Sequence, residues 1–257
     1  MKIIVNGALG HMGEILIKKI EESRDIQVLA LVDEGSRSSY SSEKNLYEKL
    51  SFIPDDLIES SKEDELCIID FSNAAATEEL TAYAVSKAIP LLIATTGQND
   101  LQKEMIKEAS NHIPVFYSGN MSIGIALMVD LVRQTVSIFG DSDVEIIETH
   151  HTRKVDAPSG TALILAEAAK DARSELTVNM GRNGMCKRDK NEIGISSVRR
   201  GNIVGIHEVI ISTESESITL KHEAHDRGLF ADGALTASRF LIEQEPGLYD
   251  MKSIFDN

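Results

Sequence analysis

The chain opens with Met1-Lys-Ile-Ile-Val-Asn-Gly7-Ala-Leu-Gly10-His-Met-Gly13, and this stretch decides the fold of its amino-terminal half. The apolar residues Ile3–Val5 predict a short buried strand, and the run after Gly13 has the spacing of an amphipathic helix. Each glycine meets a different need for a missing Cβ: a sharp turn, a close approach to a ligand, and tight contact between helix and strand. A strand, a glycine turn and a helix in this order favour a phosphate site built from backbone N–H groups.

A carboxylate, Asp33, stands directly after the second predicted strand, Val28–Val32. It follows Gly13 by 20 residues, the spacing at which an acidic side chain accepts hydrogen bonds from the ribose of a bound dinucleotide. The glycine turn and this carboxylate together predict a Rossmann-like dinucleotide-binding domain. The alternative is an empty scaffold of the same fold, in which the glycines serve only the turn.

Short β-branched runs alternate with longer amphipathic segments through the first 120 residues. The predicted strands are Ile3–Val5, Val28–Val32, Cys67–Asp70, Leu91–Ala94 and Val115–Tyr117. Alternation of this kind is typical of parallel strands that are joined by right-handed helical crossovers. The sequence therefore predicts an α/β unit at the amino terminus.

The pattern changes after Met121, where a long helix is predicted to about Phe139. Two further helices are predicted at Thr161–Lys170 and Ala234–Glu243, and the strands of this half are Val144–Thr149, Ile193–Val198, Gly205–Ser212 and Ser217–His222. The last three strands follow one another without helices, which indicates an antiparallel or mixed sheet. We therefore expect a second, α+β unit. Polar loops are predicted at Ser36–Glu43 and Gly181–Asn191, and we expect the second to be mobile.

Composition excludes several classes of protein. The chain has 257 residues, 42% of them hydrophobic, which is typical of a globular protein and not of a disordered one. The formal net charge of −15 repels a polyanion, so no nucleic-acid partner is expected. The longest apolar runs fall short of the roughly 20 residues of a membrane span, and the first residues form a strand instead of a signal peptide. With two distant cysteines as well, we expect a cytoplasmic protein without membrane contact.

The densest chemistry lies between a predicted strand and a predicted helix. The segment reads Glu148-Thr-His150-His151-Thr-Arg153-Lys154-Val-Asp156-Ala-Pro158-Ser159-Gly160-Thr161-Ala162. Ser159 and the small residues after it predict a helix start whose N–H groups face an anion such as a carboxylate. Lys154 adds a positive charge and a proton, and a histidine exchanges a proton near neutral pH. The segment predicts a pocket for a small anionic molecule that undergoes proton transfer.

Other interpretations of the histidines remain open at this point. Adjacent histidines on an extended chain face opposite sides, so only one of His150 and His151 need be functional. Such a pair also occurs in metal sites, but the neighbouring side chains are mostly cationic, and we predict no metal. We interpret the remaining histidines, His207, His222 and His225, as surface or core residues. We interpret Arg199-Arg200 as a solvated turn.

The chain resembles the dihydrodipicolinate reductases of bacterial diaminopimelate and lysine biosynthesis over essentially its whole length. The most specific element is the pattern H-H-x-x-K-x-D-A-P-S-G-T-A at His150–Ala162. Supporting motifs are the glycine loop, Ala94-Thr95-Thr96-Gly97, Ser118-Gly119-Asn120-Met121-Ser122 and the run from Val198 to His207. The alternatives are another two-domain reductase, such as an amino-acid or semialdehyde dehydrogenase, and a non-catalytic NAD sensor on the same fold.

The resemblance implies a fold, an assembly and a reaction. Residues 1–121 and 228–257 would form the dinucleotide-binding domain, and residues 122–227 the substrate domain, whose mixed sheet assembles a homotetramer. The substrate would be a small cyclic dicarboxylate, 4-hydroxy-tetrahydrodipicolinate, reduced by NADH or NADPH with loss of water to tetrahydrodipicolinate. A hydride would pass from the nicotinamide, and a proton would balance the developing charge.

The resemblance also assigns residues. The adenosine half of the cofactor would contact Gly7, Ala8, Leu9, Gly10, His11, Met12 and Asp33. The nicotinamide would lie by Ala94, Thr95, Thr96, Ser118, Gly119, Asn120 and Met121. The substrate would bind His151, Ser159, Gly160 and Thr161, and the catalytic residues would be His150 and Lys154. The sequence leaves open which of these two delivers the proton.

The cofactor loop departs from the family pattern. Family members often carry a further glycine and a basic residue where this chain has Leu9 and His11, and Asp33 is followed by Glu34. A pair of carboxylates repels the 2′-phosphate that distinguishes NADPH from NADH. We therefore predict a preference for NADH with residual use of NADPH, which Arg37 would soften.

Overall fold

Strands and helices alternate through the first half of the chain, as the sequence predicts. The computed structural model describes residues 1–35, 45–61 and 65–255, so the predicted loop Ser36–Glu43, with Arg37, lies outside the described residues. In chain order the elements up to residue 121 are β1 Lys2–Asn6, α1 His11–Glu22, β2 Gln27–Val32, β3 Leu46–Tyr47, α2 Asp55–Glu59, β4 Leu66–Asp70, α3 Thr77–Lys87, β5 Leu91–Ile93, α4 Asp100–Ser110 and β6 Pro114–Tyr117.

A second set of elements follows residue 121. These are α5 Ile123–Ile138, β7 Asp143–His150, α6 Gly160–Ala172, β8 Thr177–Met180, β9 Glu192–Arg199, β10 Gly205–Ser212, β11 Ser217–Ala224, α7 Gly228–Leu241 and β12 Gly247–Tyr249. Contacts within the chain define two compact units. One comprises Met1–Met121 and Arg227–Asn257, and the other Ser122–Asp226.

The first unit contains a seven-stranded sheet in the order β12-β6-β5-β4-β1-β2-β3. Every pairing in it is parallel. Its central strands are buried on both faces, which explains their continuous apolar sequences. The predicted Rossmann-like α/β arrangement is confirmed, and the carboxyl ends of β1, β2, β4, β5 and β6 share one edge of the sheet.

The second unit contains a five-stranded sheet in the order β11-β10-β7-β9-β8. Strand β7 pairs antiparallel with β10 and parallel with β9, so the predicted mixed sheet is confirmed. Helices α5 and α6 bury Val132, Val136 and Leu165 in one apolar cluster with residues of the sheet, including Val144 and Ile146. This packing fixes the carboxyl end of β7 and the start of α6, between which the predicted catalytic segment lies.

Three strands and one short helix were not expected from the sequence. Strands β3, β8 and β12 contain two, four and three residues, and each is an edge strand of its sheet. An edge strand pairs on one side only, and segments of two to four residues are too short to show the alternation of apolar and polar side chains that predicts a strand. Helix α2 has only five residues.

Helix α7 begins at Gly228, six residues before the start predicted at Ala234. Gly228 and Gly233 weaken the helical signal, since glycine is a poor helix former. A Cβ at Gly233 would overlap the carbonyl oxygen of Met121 within the same unit. The glycine is therefore required by close packing and does not interrupt the helix.

The loop predicted at Gly181–Asn191 is joined to β7 by ion pairs. Arg188 Nη1 lies 2.7 Å from Asp143 Oδ1, and Arg188 Nε lies 3.2 Å from Glu145 Oε1. Arg182 also contacts Glu145, at 3.0 Å. The mobility of this loop remains a prediction. No helix in the described ranges combines the length and apolar character that crossing a bilayer demands.

Candidate active site

Close backbone contacts on two sides of the glycine loop leave no room for side chains at Gly7 and Gly13. Gly7 has φ +80°, and a Cβ there would lie 2.7 Å from the backbone of Phe71. A Cβ at Gly13 would overlap the carbonyl oxygen of Gly7, so α1 packs directly on the turn. Gly10 is the N-cap of α1 and supplies no side-chain cap. The first N–H groups of the helix therefore face outward without intrahelical acceptors, as an anion site needs.

Asp33, at the end of β2, stabilises this loop by hydrogen bonds. Its Oδ2 accepts a hydrogen bond from the N–H of Leu9 at 2.9 Å, and its Oδ1 accepts one from Gly35 at 2.8 Å. A carboxylate has about four acceptor positions, so two bonds leave room for ribose hydroxyls. The residue predicted to bind ribose thus also orients the glycine loop.

A cavity of about 320 Å³ opens beside the glycine loop. Its lining residues are Asn6, Gly7, Gly10, Val32, Asp33, Glu34, Glu48, Lys49, Leu50, Phe71, Ser72, Asn73, Ala75, Ala76, Glu79 and Leu80. Of the lining residues that the structure describes, Lys49 alone is a cation, and four others are carboxylates. Strand β3 places it there, because Asp33 donates its N–H to the carbonyl of Tyr47 at 3.0 Å. The sequence carried no signal for this, since β3 is only two residues long.

A buried acid supports the other wall of the cavity. Asp70, at the end of β4, accepts hydrogen bonds from Asn6 Nδ2 at 2.8 Å and from Ser72 Oγ at 2.5 Å. Burial raises the pKa of Asp70, and hydrogen bonds from Ser72, Thr95 and Asn6 oppose the rise. These bonds hold the segment that lies against Gly7. Sequence reasoning did not identify Asp70.

The residues expected at the nicotinamide come together at the same edge of the first sheet. Ala94–Thr96 follow β5, and the N–H of Ala94 donates to the carbonyl of Asp70 at 3.0 Å. Ser118–Met121 follow β6, and a Cβ at Gly119 would lie 3.3 Å from the Thr96 side chain. Because parallel strands end at one edge, the structure gathers all predicted cofactor residues within the first unit.

In the second unit, β7 carries a carboxylate–imidazole pair. Glu148 Oε2 lies 2.5 Å from His150 Nδ1, and the Glu148 side chain is fully buried. Arg199 donates to both Glu148 oxygens, at 2.9 and 2.8 Å. The N–H of Ser159 donates to Glu148 Oε1 at 3.2 Å. The interpretation of Arg199 as part of a solvated turn was therefore wrong: it ends β9 and neutralises a buried acid.

These contacts set the charge states of the pair. Burial alone would raise the pKa of Glu148, but hydrogen bonds from Arg199, Ser197 and His150 outweigh it and lower the pKa to about 2. Burial lowers the pKa of His150, which the bond to Glu148 partly offsets. Near neutral pH, His150 is therefore neutral beside a carboxylate. Since a carboxylate only accepts hydrogen bonds, Nδ1 carries the proton, a tautomer assigned from this bonding pattern.

The other ring nitrogen of His150 faces a glycine. A Cβ at Gly205 would lie 3.1 Å from His150 Nε2, so any larger residue at this position would press on the nitrogen. Nε2 carries the free lone pair of the neutral ring. The glycine therefore leaves His150 Nε2 uncovered on that side.

His207 also belongs to this site, although sequence reasoning placed it among surface or core residues. It is buried, and its Nε2 lies 3.0 Å from Ser159 Oγ. Burial, with the nearby His150, lowers the pKa of His207 to about 3, so the ring is neutral. Ser159 Oγ accepts from the N–H of Ala162 at 3.1 Å and caps α6, so its own hydroxyl proton is available to His207.

The predicted substrate residues continue from this cap. Gly160 is exposed at the first position of α6, and no atom lies within 4 Å of a Cβ built there. Lys154 Nζ lies 2.8 Å from Asp156 Oδ2. The hydrogen bond from Lys154 lowers the pKa of Asp156. The N–H of Lys154 donates to the carbonyl of His151 at 3.1 Å in a tight turn. This unit thus offers a helix N-terminus and an ammonium to an anion.

A dinucleotide-type unit and a second unit with a buried acid–imidazole pair define a nucleotide-dependent oxidoreductase of two units. Two family models match the chain: "Dihydrodipicolinate reductase, N-terminus" over residues 1–121 and "Dihydrodipicolinate reductase, C-terminus" over residues 124–255. The chain belongs to the dihydrodipicolinate reductase family.

Relatives named 4-hydroxy-tetrahydrodipicolinate reductase align over the whole chain. The protein of Alkaliphilus oremlandii is 40% identical, covering 100% of this chain and 99% of its own. That of Clostridium tetani is 39% identical and covers 100% and 98%. A dipicolinate-bound dihydrodipicolinate reductase from Paenisporosarcina sp. TG-14 superposes with a TM-score of 0.79, covering 97% of both chains at 22% identity, and shares the fold.

Proposed function

We propose that this chain is a reductase that uses NAD(P)H to convert 4-hydroxy-tetrahydrodipicolinate into tetrahydrodipicolinate, in diaminopimelate and lysine biosynthesis. The observation that carries the proposal is the Glu148–His150 pair bonded to the N-cap of α6. It places an imidazole that accepts hydrogen bonds at Nε2 beside an anion site, where a carboxylate of the cyclic substrate would bind. The relatives that align over the whole chain are named for this activity.

We propose that the first unit holds the cofactor, with the pyrophosphate at the start of α1 and the ribose at Asp33. The loop fits such a group, because Gly7 and Gly13 let the turn pack against Phe71 and α1, and the N-cap Gly10 leaves the first N–H groups of α1 without a side-chain cap. When bound, the nicotinamide supplies the hydride. NADH is the proposed preference, since Asp33, Glu34 and two further carboxylates line the cavity with the single cation Lys49 among its described lining residues, and this excess of negative charge repels a 2′-phosphate.

We assign proton delivery to Lys154 and not to His150. The buried ring of His150 is neutral, with a lone pair at Nε2, so it accepts hydrogen bonds there and has no proton to give. Lys154 is an ammonium with three donors. A substrate carboxylate would bind the N–H groups at Gly160 and Thr161, with His151 beside it and Ser159 holding the cap.

The assembly and compartment are proposed on separate grounds. A homotetramer formed through the second unit is supported by exposed apolar side chains on α5, namely Leu127, Leu131 and Ile138. A cytoplasmic location is supported by two free thiols, Cys67 and Cys186. Light scattering of the purified protein at several concentrations tests the assembly.

Turnover tests the function directly. The substrate is made in place by the preceding synthase from pyruvate and aspartate semialdehyde, and loss of reduced nicotinamide is followed by absorbance with NADH and then with NADPH. We expect turnover above the control without enzyme, faster with NADH. Folded protein that binds NADH without turnover would instead indicate another substrate or a sensor.

A further inference from the structure

A row of polar side chains crosses the second sheet. The register places Ser197 of β9 and His207 of β10 opposite Glu148 of β7, and His222 of β11 opposite His207. Directly paired residues of adjacent strands point to the same face, so these four side chains form one line. Glu148 is fully buried and His207 is 4% exposed. A buried charge in such a row is costly unless it is paired and hydrogen-bonded.

We propose that Glu148 is a positioning residue: it fixes which nitrogen of His150 carries a proton and ties that ring to the N-cap of α6, while Arg199 holds the carboxylate in place. The inference rests on the proposed function, because it concerns the same proton-transfer site.

One carboxylate serves both halves of this arrangement. Glu148 Oε2 accepts from His150 Nδ1 at 2.5 Å, and Oε1 accepts from the N–H of Ser159 at 3.2 Å. A rotation of the carboxylate would therefore disturb the imidazole and the helix start together. The imidazole of His150 and the start of α6 are thus held by the same carboxylate.

Arg199 prevents that rotation. Its two Nη atoms donate to the two oxygens of Glu148, at 2.9 and 2.8 Å, in the bidentate geometry that fixes the plane of a carboxylate. The guanidinium also donates to the carbonyl oxygen of Asp156 at 2.6 Å. Arg199 is thereby bound to the segment that contains Lys154, and it supplies the counter-charge that a buried carboxylate requires.

The Glu148→Gln substitution exposes the role of the carboxylate. The donors of Arg199, Ser159 and His150 together occupy both oxygens, so the new amide must place its NH₂ against a donor. If the NH₂ replaces Oε2, it donates to His150 Nδ1 and the ring proton moves to Nε2. If it replaces Oε1, it opposes Ser159 and Arg199 and loosens the helix start. Both outcomes impair the site without changing its volume.

The test measures the His150 tautomer and turnover in the full-length protein. Nitrogen chemical shifts distinguish a protonated from an unprotonated ring nitrogen, and the His150 signals are assigned by difference from a His150→Asn spectrum. For Glu148→Gln we expect Nε2 to carry the proton where the amide NH₂ faces the ring, and Nδ1 to keep it where the NH₂ faces Ser159. We expect kcat to fall on the order of 10²-fold, the scale of a positioned acid–base group.

Glu145 provides a matched control on the same strand. It is an arginine-paired carboxylate of β7, like Glu148, but its partners are Arg182 and Arg188 and it makes no contact with His150. Glu145→Gln should keep the wild-type tautomer and change kcat by no more than about twofold, as distant substitutions do. A folded Glu148→Gln protein with the wild-type tautomer and unchanged kcat would overturn the proposal.

Arg199→Lys covers the case in which Glu148→Gln does not fold. Lysine keeps the charge but loses the bidentate fork, so we expect Nδ1 to keep its proton while kcat falls by about tenfold, as for other supporting residues. An unchanged kcat in folded Arg199→Lys would remove Arg199 from the proposal. The tautomer is read without substrate, so a wild-type protein that fails to reduce the dicarboxylate would overturn the proposed function and leave the tautomer result standing.

Discussion

Ser159 and His207 join a helix start to a strand: Ser159 Oγ lies 3.0 Å from His207 Nε2 and also accepts from the N–H of Ala162. The residue that caps α6 is therefore held from β10. A cap held on both sides keeps the N–H groups at Gly160 and beyond in a fixed direction. If the proposed substrate binds there, a fixed cap lowers the entropy lost on binding.

His207→Leu should therefore weaken both folding and substrate binding. Leucine leaves the Ser159 hydroxyl without its acceptor in a buried position, at a cost of about 1–3 kcal/mol in the free energy of unfolding. The KM for the dicarboxylate should rise while the Kd for NADH stays unchanged, because the first unit is not altered. Urea unfolding and steady-state kinetics measure these effects. His225→Leu, at an exposed position, is the control, and an equal KM in both variants would contradict this role.

Stability should depend on pH through the same histidine. Burial lowers the pKa of His207 to about 3 in the folded protein, whereas an unfolded histidine titrates near 6.5. The unfolded chain thus binds more protons in this window, so the free energy of unfolding is highest above about pH 6.5 and falls as the pH decreases toward 3. Urea unfolding at about pH 7.5 and about pH 5 should show the decrease. His207→Leu should flatten it.

Glu148 acts in a lower window. Its pKa of about 2 in the folded protein lies below the usual value, so its contribution is present above about pH 4.5 and is lost as the pH falls through about 2. Glu148→Gln should still change the pH dependence between about pH 7 and pH 5, because loss of the carboxylate lowers the pKa of His150 further and the free energy of unfolding then falls more steeply than in wild type. Urea unfolding at these two pH values measures the difference, and an unchanged pH dependence would contradict the coupling of Glu148 to His150.

Cofactor preference should respond to the charges of the cavity beside the glycine loop. Lys49 lies with Asp33 and Glu34 in its lining, and exposed charge pairs contribute about 0.2–1 kcal/mol. Lys49→Gln should lower kcat/KM for NADPH by up to about fivefold and leave the value for NADH unchanged, whereas Glu34→Gln should raise the NADPH value by a similar factor. Added salt should shrink both effects. A wild-type enzyme that prefers NADPH would contradict the predicted NADH preference.

The sequence predicts the residues of the catalytic segment better than the residues that support them. His150, Lys154 and Ser159 lie in one short segment, so their proximity follows from the sequence. Their supporting residues do not: Arg199 and His207 reach Glu148 and Ser159 from β9 and β10 through the register of the sheet. Register depends on the packing of whole strands, and no local pattern encodes it.

The length and burial of each strand determine whether the sequence predicts it. Central strands such as Ile3–Val5 are buried on both faces, and their continuous apolar runs mark them in the sequence. Strand β3 has only two residues at the edge of its sheet, and it carries no such signal. The position of Lys49 in the cavity depends on this strand, so the sequence showed carboxylates after β2 and missed the cation beside them.

Gly10→Ala tests the phosphate site within the first unit. A Cβ at Gly10 would lie 3.3 Å from the carbonyl oxygen of Gly7, which the loop can accommodate with a small shift, but it would stand at the N-cap where a pyrophosphate must approach the backbone. We expect the Kd for NADH to rise by roughly tenfold with little change in thermal stability. Gly140→Ala, where no atom lies within 4 Å of the added Cβ, is the matched control. Equal NADH binding in both would place the pyrophosphate elsewhere.

Substitutions of Lys154 test which group delivers the proton. Lys154→Ala removes the ammonium that lies 2.8 Å from Asp156, and kcat should fall by about 10²–10⁴-fold, the contribution of a general acid. Lys154→Arg keeps a positive charge for the substrate carboxylate but holds its proton too tightly to release it. This variant should therefore bind substrate with a KM near that of wild type and still lose kcat. Lys170→Ala, on the surface of α6 beside Glu167, is the control for removing a lysine. If Lys154→Arg retained full kcat, Lys154 would be an anion-binding residue only, and proton delivery would return to His150.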